Sequence, residues 1–179
     1  NNTAVGKDAL VSNTTGTENV AIGFASMCTT TTADNNVAVG NYAMREATTG
    51  NNNTAVGYCS LKVNTTGACN VAIGRQALHT NTTGDNNVAV GKDALFCNTT
   101  ANNNTAVGFC ALRGNTTGDN NVAVGRKAMP ATTTGGNNTA VGLNAMLSNI
   151  TGACNVAVGT QALETNSSGC KNTALGVHA

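Results

Sequence analysis

A glycine returns every seventeen residues, at Gly6, Gly23, Gly40, Gly57, Gly74, Gly91, Gly108, Gly125, Gly142, Gly159 and Gly176, with no insertion or deletion between any two. A loop-rich globular domain has no reason to keep such a count. A stack of equal coils does, because one extra residue in a coil would displace every neighbour it pairs with. Positions in the repeat are therefore numbered from this glycine as zero. Position −4 is Asn in all eleven copies: Asn2, Asn19, Asn36, Asn53, Asn70, Asn87, Asn104, Asn121, Asn138, Asn155 and Asn172. Position −3 is Thr or Val, −2 is always Ala, and −1 is Val, Ile or Leu. Position +3 is Ala or Ser, +4 is Leu or Met, and +9 is Thr or Ser. All seventeen formal charges fall on the variable positions between these columns.

Each column has a physical reading. Positions −4 to −1 are short and rich in Val and Thr, which suits a strand, and the following Gly permits a bend or a close backbone approach. Positions +2 to +5 are read as a second short strand. Positions +7 to +10, mostly Asn-Thr-Thr-Gly, carry turn chemistry and are placed on the outside. The predicted fold is all-β: a parallel β-solenoid of about ten and a half rungs at ~4.8 Å per rung, hence a rod ~50 Å long. Leu or Met at +4 and Val or Ile at −1 are expected to fill the coil. The Asn column is expected either to stack in hydrogen-bonded register or to satisfy turn backbone groups. The unvarying Ala at −2 is read as a second buried surface, against another layer or another chain, so self-association is expected.

Composition removes other classes. The 179 residues include 29 Asn, 29 Thr and 21 Gly, only 9% are charged, and the net charge is +1. No clustered Lys and Arg mark a nucleic-acid partner, no apolar run approaches the ~20 residues of a membrane helix, and poor helix formers dominate. No nucleophile stands at a plausible distance from a base, and no cysteine pair has zinc-ligand spacing, so neither an enzyme nor a metal site is expected and no cofactor is implied. Asp34, Asp85 and Asp119 share position −6 and are read as solvated turn residues. Asn-x-Ser/Thr sequons recur at +7 (Asn13, Asn64, Asn81, Asn98, Asn115, Asn149 and Asn166) and at −5 (Asn1, Asn52, Asn103 and Asn137), and the +7 set is the candidate for N-glycosylation in the outer turn. Among seven cysteines, Cys154 and Cys170 lie one coil apart and are the candidate disulfide.

The strings Asn-Val-Ala-Ile-Gly (Asn19 to Gly23, Asn70 to Gly74) and Asn-Thr-Ala-Val-Gly, followed by two variable residues and Ala-Leu, resemble the head repeats of trimeric autotransporter adhesins. They are also similar to repeats of phage and viral tail-fibre proteins. The resemblance runs over essentially the whole chain, with a longer period of seventeen residues. It implies a left-handed parallel β-roll, three chains side by side, on a cell or virion surface. The chain is read as one repeat domain, 1–179, within a longer fibre. Its expected function is a rigid extracellular shaft that assembles with copies of itself, without nucleic acid or membrane insertion. The alternative is an adhesin that binds a surface glycan, host receptor or matrix ligand through its variable positions. Ice binding by the Thr columns at +8 and +9 is a distant third.

Overall fold

The computed structural model describes all 179 residues, Asn1 to Ala179. It contains eleven strands of three residues: β1 (Thr3–Val5), β2 (Val20–Ile22), β3 (Val37–Val39), β4 (Thr54–Val56), β5 (Val71–Ile73), β6 (Val88–Val90), β7 (Thr105–Val107), β8 (Val122–Val124), β9 (Thr139–Val141), β10 (Val156–Val158) and β11 (Thr173–Leu175). They form one sheet in chain order. Each strand pairs in parallel with the next, and every partner is seventeen residues away, as Ala72 is from Ala89. The chain is a parallel β-solenoid with one coil per repeat.

The glycine at zero is required by conformation and by space. Its φ lies between 127° and 139° in all eleven coils, a region that side chains disfavour. A Cβ on Gly91 would also stand 2.6 Å from the carbonyl oxygen of Gly108 in the next coil.

The second strand does not form. Residues +1 to +5 make turns, and non-glycine residues at +2 and +4 take left-handed φ, as at Gln76 (57°) and Leu78 (53°). Position −5 does the same, as at Asn86 (58°). Each left-handed residue costs roughly 1–2 kcal/mol. The cost is offset because its amide reaches a neighbouring coil: Gln76 N donates to Tyr58 O (2.9 Å), Leu78 N to Ala94 O (3.0 Å) and Asn86 N to Ala68 O (3.1 Å). The turn also lets consecutive residues point inward. Ala77 and Leu78 are both fully buried, an arrangement a strand forbids because its side chains alternate.

The core is a set of vertical files. Leu61, Leu78, Leu95 and Leu112 continue into Met129 and Met146, all fully buried, and Ala at −2 and +3 packs against them. Each buried Leu contributes roughly 1.5–3 kcal/mol. The strand parity is the reverse of the expected one. Ala72 is buried in β5, while Val71 is half-buried and Ile73 is exposed. The Leu or Met side chain from the opposite wall leaves room only for Ala on the strand, so Val and Ile are displaced to the outer face. The Ala column is therefore the coil's own interior, and it supplies no second surface for another chain.

Candidate functional site

The buried polar groups are structural, and they are organised as columns. Asn70 is representative of position −4. Its amide N–H donates to Asn53 Oδ1 (2.9 Å), and its Nδ2 donates to the same oxygen (3.2 Å) and to Gly84 O (2.8 Å). Its own Oδ1 accepts from Asn87 N (2.9 Å) and Asn87 Nδ2 (3.2 Å). From Asn19 to Asn155 this column is fully buried, and only Asn2 and Asn172, at its two ends, are exposed. A residue that enters the coil interior just before the strand, with a short side chain carrying both a donor and an acceptor, can repeat this pattern without limit.

Position +7 is a second inward column and not an outer turn. Asn64, Asn81, Asn98, Asn115 and Asn149 are fully buried, and Asn13 and Asn166 near the ends are half-buried. Asn81 Nδ2 donates to Asn64 Oδ1 (2.7 Å) and to Gly84 O (2.9 Å). Gly84 O thus accepts from both Asn columns. The Nδ2 to which a glycan would be joined is committed inside the coil, so the expectation of an outer glycosylation turn at +7 is overturned. The −5 sequons are the ones that face solvent, with Asn1, Asn52, Asn103 and Asn137 all exposed.

Two further columns tie neighbouring coils together, a role the sequence did not show. At −6, Asp85 Oδ1 accepts from Ala68 N (2.7 Å), Asn102 Oδ1 from Asp85 N (2.8 Å) and Asp119 Oδ1 from Asn102 N (2.6 Å). Asp34 does the same for Thr17 N (2.7 Å), so these aspartates tie coils together and are more than solvated turn residues. At +8, Thr65, Thr82 and Thr99 donate their hydroxyls to the carbonyl of the next coil's Thr (3.0, 2.9 and 3.1 Å), which leaves those hydroxyls engaged in the stack. The signal for both was an acceptor or hydroxyl recurring at one position.

All seven cysteines are free thiols. Cys154 and Cys170 are both exposed and do not pair; Cys170 Sγ instead accepts from Ala153 N (3.3 Å), which it stacks upon. The one-step difference in position that suggested a bridge is what separates them, because Cys154 occupies the left-handed site at −5 (φ 58°). Cys59 and Cys110 are buried, and burial raises the pKa of the Cys110 thiol. His79 titrates below the ordinary histidine range, first because it is partly buried and then because Lys62 is near. Its ring stacks on Phe96 with centroids 5.1 Å apart. No group of three or more His, Cys, Asp or Glu side chains is close enough to hold a metal ion.

Two outward surfaces remain. The first is the sheet face. Positions −3 and −1 carry only Thr, Val, Ile and Leu in all eleven strands, with no charge. Ile22, Val37, Val56, Ile73, Val107, Val124, Val141 and Val156 are each exposed by 36–41%. The second is the edge formed by +1, +2 and +5. There Tyr42 packs edge-on against Phe24 (5.2 Å) and Tyr58 (6.1 Å), with Arg45 over its ring (5.5 Å). Phe24 and Tyr58 share position +1 two coils apart and look isolated in the sequence; Tyr42, from position +2 of the coil between, joins them. No helix is long and apolar enough to cross a membrane.

No protein-family model matches this chain, and neither does any curated protein or solved structure.

Proposed function

We propose that this chain is a shaft element of an extracellular fibre, non-enzymatic, that associates laterally with copies of itself. The observation that carries this reading is the uncharged sheet face, whose −1 column is Val, Ile or Leu in every strand from β1 to β11 and whose −3 column is Val or Thr. Eleven coils at ~4.8 Å give a stripe about 50 Å long and on the order of 500 Å² in projection. A soluble monomer rarely exposes an apolar patch of more than a few hundred Å². A stable interface buries roughly 800 Å² on each partner, so a face of this size with its flanks suits a second copy. A flat, regular surface also suits a partner with the same ~4.8 Å repeat, which another copy provides. The likeness to trimeric adhesin heads and tail fibres adds support for three chains and for a cell or virion surface. The rigid stack of coils, held by buried Asn columns, suits a part that bears load or spans distance.

The adhesin reading gains from the aromatic and cationic edge at +1, +2 and +5, which lies beside the sheet face and stays free when that face is covered. The test is sedimentation equilibrium of the chain and of a Val56→Lys/Ile73→Lys/Val90→Lys variant, with circular dichroism to check folding. The native chain is expected to sediment as a defined oligomer, and the folded variant as a monomer. A native monomer, or a variant that assembles unchanged, contradicts the proposal.

A further inference from the structure

Six consecutive coils each place at least one cation on the same corner of the rod: Arg45, Lys62, Arg75, Lys92, Arg113 and Arg126, at +1 or +5, with Lys127 at +2 beside Arg126. Contacts show that these positions share one surface. Tyr42 at +2 touches Phe24 and Tyr58 at +1 as well as Arg45 at +5. Cys110 at +2 lies in the field of Asp93 first, and then of Arg113, Lys127 and Lys92. Coils stack at ~4.8 Å, so the corner is a ladder of positive charge about 24 Å long. Carboxylates counter only two of its rungs, Glu46 beside Lys62 (3.7 Å) and Asp93 beside Arg75 (4.0 Å). Four of the other cations are held by aromatic rings, Arg45 over Tyr42 among them. Lys92 and Arg126 lie over Phe109 at 5.5 and 5.9 Å, and Arg113 lies over Phe96 at 5.2 Å. A cation on a ring face keeps its charge while losing conformational freedom, so an anion that binds it orders little further. Asp34, Asp85 and Asp119, at −6, precede the strand, whereas the cations at +1 and +5 follow it.

We propose that this corner binds a linear anionic polysaccharide, carboxylated or sulfated, laid along the rod axis with its charges against the ladder of cations. Charges that recur in every coil along the rod, on two neighbouring columns, suit an extended polymer that carries its anions at regular steps. Single-stranded nucleic acid fits less well, because its binding draws on base stacking against open aromatic faces. Along the ladder two of the rings are already engaged: Phe109 is covered by Lys92 and Arg126, and Phe96 lies between His79 and Arg113. The sheet face takes no part, so this binding and lateral assembly are separable.

The test measures binding to sulfated (heparin) and carboxylated (polygalacturonate) oligosaccharides, to neutral dextran and to oligo(dT), for three proteins. These are the native chain, a Lys92→Gln/Arg113→Gln/Arg126→Gln variant and a Lys171→Gln control on the opposite edge. Both anionic sugars are expected to bind, dextran not to bind, and affinity to fall with added salt. The triple variant is expected to lose about tenfold or more, the control little, and both to keep the native circular dichroism spectrum. Absence of sugar binding at low salt, equal loss in the control, or tighter binding of oligo(dT) than of either sugar overturns the proposal. The assembly-defective variant of the sheet face is expected to retain binding, so failure of the shaft reading does not decide this one.

Discussion

At the scale of single residues, the structure turns on where polar side chains are buried. A buried amide is costly unless every donor and acceptor is met. The −4 column meets this condition because each Asn serves the coil before it and the coil after it. Asn87 supplies the acceptor for Asn104 N (3.0 Å) and Asn104 Nδ2 (3.2 Å), while its own Nδ2 donates to Ala101 O (2.8 Å). Asn87→Leu would leave those groups unpaired inside the coil, and the expected loss is about 3 kcal/mol in urea unfolding. Asn86→Leu, one residue away and at the left-handed −5 site, removes none of these bonds and is expected to cost about 1 kcal/mol, the strain of a left-handed φ. Equal losses at the two sites would contradict the role given to the column.

At the scale of the element, a single coil shows how much could be read in advance. The period, the parallel register and the need for glycine at zero were legible, because eleven unbroken copies leave no other spacing to consider. The Leu and Met file at +4 was also legible, being apolar in every coil. The parity of the strand was not, because hydrophobicity favours Val and Ile for the interior while the limited space inside the coil favours Ala. The absence of a second strand was hidden in a detail: +3 is always small and +4 always apolar, and adjacent inward residues require a turn. The +7 Asn resembled turn chemistry because its neighbours Thr-Thr-Gly do face the bend. The burial of this column decides where a glycan fits. When the chain is secreted from a glycosylating host, peptide mapping of the folded protein is expected to find glycans at Asn52, Asn103 and Asn137. Asn64, Asn81, Asn98, Asn115 and Asn149 are expected to be bare. Occupied +7 sites in folded protein would contradict the inward placement.

At the scale of the whole molecule, the coils add to a rod whose sides differ in chemistry. One face is uncharged, with Val, Ile or Leu along −1, one corner is cationic and aromatic, and the −6 positions ahead of the strand carry Asp34, Asp85 and Asp119. Each strand contacts only the strands of the adjacent coils, so length is gained by repetition and stability accrues locally. This gives a direct test of the central claim, that each seventeen-residue repeat is one coil stacked on the last with −1 side chains outward. Pairs of spin labels are placed at Val39 and Val141, six coils apart, and at Val5 and Val158, nine coils apart, in a chain whose native cysteines are replaced by Ala. Pulsed electron paramagnetic resonance is expected to give distances of ~29 Å and ~43 Å, in the ratio of the coil counts. Distances that do not grow in proportion to the number of coils would contradict the stacked rod and every surface assigned to it.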